Sequence, residues 1–125
     1  MVKKKFAVLL LIIVLIFSSF MVSLMFKLFS KVEIEANYVR STYFYYEGRF
    51  RRCFIFEAEN KFGKEVTARV KIDLSKVKRD IGDVLAILDE NLKEIGWENE
   101  GKYVIYFEFK FKAYEKKSFR VVMLH

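Results

Sequence analysis

Proline and glutamine are absent from this chain of 125 residues, and cysteine and histidine occur once each, as Cys53 and His125. One cysteine excludes an internal disulfide framework and every multi-cysteine zinc site. A histidine in the last position leaves no Ser-His-Asp triad, Cys-His pair or multi-histidine metal set to assemble. The glycine patterns of dinucleotide and phosphate loops and the G-x-S-x-G elbow are missing, as is any N-x-S/T sequon. The expectation is a protein that is not an enzyme and holds no cofactor or metal. Many lysines and glutamates alongside the missing glutamine point to a thermophile source.

What is present is apolar. A hydrophobic fraction of 54% and an aromatic fraction of 18% exclude a disordered chain, and the length allows one domain of ordinary size. The net charge of +7 invites a nucleic-acid reading until it is divided along the chain. Lys3, Lys4, Lys5, Lys27 and Lys31 precede the first acidic residue, Glu33, so residues 32–125 carry 18 basic and 16 acidic side chains. The excess brackets a hydrophobic run, which is the pattern of a membrane protein, and no nucleic-acid partner is expected.

That run, Phe6 to Phe26, holds 21 residues without a charge. As a helix rising about 1.5 Å per residue it reaches roughly 30 Å, the thickness of a bilayer core. No polar face interrupts it, and no A-x-A-like cleavage site follows. Residues 1–31 therefore read as a retained transmembrane anchor with basic flanks, a cleaved signal segment being the competing reading. Three lysines and the amino terminus before the helix, against Lys27 and Lys31 after it, favour a cytoplasmic N-terminus and an outer C-terminal domain. Ser19 and Ser23, four apart, offer a small-residue face for homo-oligomerisation through the helix.

From Val32 the period changes to two. Val32, Ile34, Ala36 and Tyr38 alternate with polar residues as one strand. Tyr43-Phe44-Tyr45-Tyr46 leads into Glu47-Gly48 as a turn, and a strand follows with Phe50, Phe54, Phe56 and Ala58 on one face. Asn60-Lys61-Phe62-Gly63 reads as a hairpin connection to the clearest strand, with Val66, Ala68, Val70, Ile72 and Leu74 inward. Tyr103, Ile105, Phe107, Phe109 and Phe111 alternate again, as do Phe119, Val121 and Met123. Residues 32–125 are thus expected to form a mainly β, small antiparallel domain, either an immunoglobulin-like sandwich or an α+β sheet. Between these strands, Val77, Ile81, Val84, Leu85, Leu88, Leu92 and Ile95 form an amphipathic helical stripe, with Gly96 where a C-terminal cap belongs. The alternative makes Asp83 to Leu88 and Leu92 to Trp97 two strands around Asp89-Glu90-Asn91; the helix is the favoured reading.

Phe54 to Leu74, with Glu59-Asn60-Lys61-Phe62-Gly63 between its strands, resembles the B-strand, N-x-x-G turn and C-strand of immunoglobulin-like surface repeats of the CARDB type. The tail Ala113 to Val121 is similar to their charged turn and last strand. The resemblance implies an envelope protein of surface interaction or adhesion, without catalytic residues.

Aromatic and arginine side chains are enriched where proteins meet, because they bury large areas with few rotamers. Tyr43, Tyr45, Tyr46, Arg49, Arg51 and Arg52 are therefore the candidate partner-binding residues. Cys53, beside Arg51 and Arg52, is either a thiol activated by those charges or a small packed residue. Glu57 and Glu59 share a strand face and read as solvated charge. Two functions follow. One is a single-pass anchored interaction module, an accessory subunit or envelope-binding protein that contacts the bilayer and another membrane or envelope protein. The other resembles type IV pilin-like filament subunits, with Lys3-Lys4-Lys5-Phe6-Ala7 as a leader clipped before the helix.

Overall fold

Leucine, isoleucine, valine and phenylalanine fill the segment after Lys5 without a proline or glycine to break a helix. Val2–Phe29 accordingly form one helix, α1. The computed structural model describes residues 2–29 and 32–125, with side chains at 7–21 and 32–125. The chain divides into two units, Met1–Lys31 and Val32–His125. Every side chain from Ala7 to Met21 is exposed. At about 1.5 Å per residue that window covers roughly 22 Å of helix, and among the described residues no helix is long and apolar enough to cross a membrane. The expected span from Phe6 to Phe26 passes both ends of the window. Phe6, Ser23 and the flanking Lys3, Lys4, Lys5, Lys27 and Lys31 lie outside the described side chains.

The second unit, the head, is mainly β. Its strands are β1 (Val32–Glu35), β2 (Asn37–Tyr46), β3 (Arg49–Glu59), β4 (Val66–Asp73), β5 (Val84–Leu88), β6 (Glu98–Glu100), β7 (Val104–Phe111) and β8 (Lys116–Met123). They form two four-stranded sheets, β1-β4-β7-β6 and β2-β3-β8-β5. One cluster joins them: Ile34, Ala68, Val70, Ile72, Ile105, Phe107 and Phe111 from the first sheet meet Phe54, Phe56, Ala58, Ile87, Phe119, Val121 and Met123 from the second. The expected alternations in β3, β4, β7 and β8 thus supply the core, as a sheet with one buried face requires. Phe119 lies at its centre, its ring centroid 4.9 Å from that of Phe107 and 5.0 Å from that of Phe109.

Three local expectations are corrected. The strand expected from Val32 to Tyr38 is two strands in different sheets. β1 pairs with β4 in parallel, the one departure from antiparallel order, and β2 pairs with β3. The chain changes sheet at Ala36, which is fully buried and donates its amide to the Lys71 carbonyl at 2.9 Å. No side chain larger than a methyl would fit that crossing without displacing the core.

The connection at Asn60 is not a hairpin. β3 lies between β2 and β8, and β4 between β1 and β7, so Asn60 to Glu65 cross from one sheet to the other. Each strand has one apolar face, and these faces are satisfied across the core rather than side by side.

The amphipathic helix over Val77 to Ile95 does not form. Asp73 and Asp80 accept hydrogen bonds from the amides of Ser75 and Gly82, each closing a short 3-10 turn, Leu74–Val77 and Ile81–Asp83. Between the turns Lys78 takes a left-handed conformation (φ 57°), which a continuing helix forbids. Val84–Leu88 then pair with β8, and both faces of β5 are covered: Ile87 enters the main core, while Ala86 and Leu88 join a small cluster on the outer side. The Asp89 carboxylate accepts from the amides of Asn91 and Lys93 and turns the chain back, giving a bridge from Leu88 to Glu94. This is close to the two-strand alternative, although the returning segment makes only that bridge.

Candidate functional site

Glu47 and Gly48 close the β2–β3 hairpin with φ of 48° and 84°, both left-handed. This is the two-residue turn whose twist suits a hairpin, and glycine carries the second position without strain. The hairpin register opposes Tyr43 to Arg52, Phe44 to Arg51, Tyr45 to Phe50 and Tyr46 to Arg49. Because paired residues share a face, the pleat divides the six candidate residues into two sets.

Tyr43, Tyr45 and Arg52 lie on the face that, further along β3, carries core residues Phe54 and Phe56. The hairpin runs past the end of the core, so this stretch is uncovered. Tyr43 is 68% exposed, Tyr45 60% and Phe50 70%. The rings are held in order: Tyr45 meets Phe50 edge-on at 5.2 Å, and Arg52 lies 5.3 Å over the Tyr43 ring while donating to its hydroxyl at 3.2 Å. Phe50 belongs to this surface although it shares the period-two face of core residues Phe54 and Phe56; it lies four residues beyond Phe54, the last buried residue of that alternation.

Tyr46, Arg49 and Arg51 lie on the opposite face with Phe44. Arg51 is not presented to a partner. Its guanidinium donates to the Tyr46 carbonyl at 3.0 Å and to the Leu124 carbonyl at 2.9 Å, tying the chain end to the hairpin. Phe44, Tyr46 and Leu85 pack on the outer cluster of Cys53, Ala86, Leu88 and Val122. Burial first, then the charges of Glu94 and Glu47, raises the Tyr46 phenol above its usual range.

Cys53 is fully buried in that cluster. Burial pushes its thiol up, and the nearby Arg120 opposes this only in part. Of the two readings the packed one holds: Arg51 is committed to carbonyls and Arg52 lies on the other face, so neither activates the thiol. A thiol reagent is expected to modify Cys53 only as the head opens, with full reaction in denaturant. Immediate stoichiometric labelling of the folded protein would contradict the packed assignment.

The opposite end of the sheet has another character. An open cleft of about 600 Å³ is lined by Glu33, Glu35, Glu57 and Glu59, with Lys61 and Lys116. Glu35 is paired with Lys76 at 2.9 Å and Glu57 with Lys116 at 3.4 Å. The Lys76 hydrogen bond holds the Glu35 carboxyl below its usual value. Among the described residues no three His, Cys, Asp or Glu side chains are grouped to hold a metal ion.

The chain matches no family model, no curated protein and no solved structure. Functional assignment therefore rests on the chain's own chemistry.

Proposed function

We propose that this chain is a single-pass membrane protein whose outer head docks another membrane or envelope protein through the β2–β3 hairpin, with no catalytic step of its own. The membrane reading is supported by the 21 charge-free residues from Phe6 to Phe26 and the lysines at both ends. The greater number of these before the apolar run favours a cytoplasmic N-terminus. The docking reading is carried by one observation: Tyr43, Tyr45 and Phe50 continue a core face beyond the core, exposed and held in register beside Arg52.

Charge concentrates at the same place. Residues 40–52 contain Arg40, Arg49, Arg51 and Arg52 against Glu47, a net of +3, while the whole head carries 18 basic and 16 acidic side chains. The rest of the head is thus slightly acidic, and the hairpin suits a partner with an acidic rim around an apolar patch. Reversing Arg49 and Arg52 to glutamate is expected to reduce recovery of a co-purifying partner from mildly solubilised membranes at least tenfold. Arg51 is left in place because its carbonyl bonds are structural. Undiminished recovery would contradict the hairpin as the docking surface.

A filament subunit like the type IV pilins is the second reading, favoured by a continuous N-terminal helix followed by a small β head. The immunoglobulin-like resemblance is supported by β3 and β4 lying in different sheets across the Asn60 turn. In the immunoglobulin order the last strand sits beside the penultimate one, whereas here β8 lies between β3 and β5.

A further inference from the structure

β2 is the outermost strand of its sheet, and among the described residues its far side has no strand partner. Its free backbone groups can be assigned. Tyr46 and Arg49 flank the two-residue turn and are the hydrogen-bonded pair that closes it. Alternation then directs the amides and carbonyls of Phe44, Thr42 and Arg40 to β3, and those of Tyr45, Tyr43 and Ser41 outward. The Thr42 hydroxyl reaches the Tyr43 carbonyl only at a weak 3.5 Å. At the other end an irregularity between Tyr38 and Arg40 breaks the ladder. The open edge is therefore the regular stretch Arg40–Tyr46, with three outward residues centred on Tyr43.

Natural sheets blunt such edges with lysine, proline, brevity or inward charge. This stretch has none of these: Ser41 to Tyr46 carry no charge, and Arg40 stands at one end. The bulge protects only the part before it.

We infer that two copies of this chain pair through their β2 edges, antiparallel about a two-fold axis at Tyr43, joining their four-stranded sheets into one of eight strands. This register sets Tyr43 against Tyr43 of the second copy, Ser41 against its Tyr45, Thr42 against its Phe44 and Arg40 against its Tyr46. All three outward amides and all three outward carbonyls of each copy then find partners. Moving the axis by one residue toward the bulge leaves Tyr45 opposite the irregular Val39 and loses part of the ladder.

The charges agree with a second copy as the occupant. No like charges face each other along the ladder, and Arg40 lies against a tyrosine ring. The two arginine-bearing tips stand at opposite ends, about 20 Å apart or more at ~3.4 Å per residue, beyond the ~8 Å Debye length at physiological salt. Each tip is carried toward the other copy's Asn37 end. Glu57 and Glu59 lie there on the same outer face as Arg49, Glu57 already sharing its charge with Lys116. On the other face the exposed Tyr43, Tyr45 and Phe50 of both copies merge into one aromatic strip.

The inference goes beyond the membrane reading and does not depend on it, because the core lies wholly within Val32–His125. The test uses the full chain in detergent and the head alone, so that association through α1 is not counted. Under mild oxidation Tyr43→Cys is expected to give a disulfide-linked dimer, since residues paired across the axis have Cα atoms about 5.5 Å apart. Ser41→Cys and Tyr45→Cys are each expected to remain unlinked, their counterparts lying roughly 13 Å away at ~3.4 Å per residue. Tyr43→Lys places like charges opposite each other and is expected to raise the dimer dissociation constant at least tenfold, with the melting temperature of the monomer unchanged. Equal linking at all three positions, linking at none, a monomeric head, or linkage of Tyr43→Cys to a chain of different mass would each overturn the inference.

Discussion

Replacing Phe119 by alanine is expected to destabilise the head by about 4 kcal/mol, the middle of the range for aromatic truncation in a closed core. Phe119 is fully buried and sits on β8, between β3 and β5 in its sheet. It opposes Phe56 in the ladder, and its ring touches Phe107, Phe109 and Phe111 of the facing sheet. Both sheets meet at this ring, so neither can close over the gap without moving the other. The loss is a large share of the ~5–15 kcal/mol that holds a domain of this size. Phe119→Leu retains much of the volume and is expected to cost less than half as much. Chemical denaturation of the head distinguishes the two, and equal effects would mean that the core is looser than its packing indicates.

Asn60→Ala is the second large effect, expected at about 3 kcal/mol, or roughly 15 °C in melting temperature for a head of this length. Asn60 is the buried polar residue of the described core. Its side-chain amide donates to the Lys64 and Lys112 carbonyls, both at 2.9 Å, and its carbonyl accepts from the Phe62 amide at 3.0 Å. The Asn60 amide also donates to the Glu115 carbonyl, which links the β3–β4 crossing to the β7–β8 turn. Alanine removes all three side-chain hydrogen bonds, each worth about 1 kcal/mol; the Lys64 carbonyl and the Phe62 amide lose this partner, whereas the Lys112 carbonyl keeps the Glu115 amide at 3.1 Å. Asn60→Asp keeps the acceptor but turns a carboxylate toward those carbonyls, so it is expected to be at least as destabilised at neutral pH. A near-neutral result for both variants would mean that water replaces the side chain.

These two residues also mark what the sequence makes legible. Phe119 could be placed in the core from period-two alternation alone, as could the inward sets of β3, β4 and β7, because apolar residues recur at every second position of those strands. Asn60 was recognisable as a turn residue but not as a crossing between sheets. Local turn chemistry does not state which strands pair, and that depended on β8 entering beside β3. Val77 to Ile95 misled for a related reason. Apolar residues three and four apart fit a helix, yet Asp73, Asp80 and Asp89 each bind nearby amides and divide the segment into turns and a strand covered on both faces. Ala36 shows the same limit, since alternation continues through a change of sheet. At the hairpin, composition singled out six residues, while only the pleat could separate Tyr43, Tyr45 and Arg52 from Tyr46, Arg49 and Arg51.

The central claim is that an intact N-terminal helix holds the head at a membrane. Intact mass of the native chain recovered from the membrane fraction tests it most directly. The account predicts a chain beginning at Met1 or Val2. A chain beginning near Val8 would replace it with the filament reading, and one beginning beyond Phe26 would contradict membrane anchoring altogether.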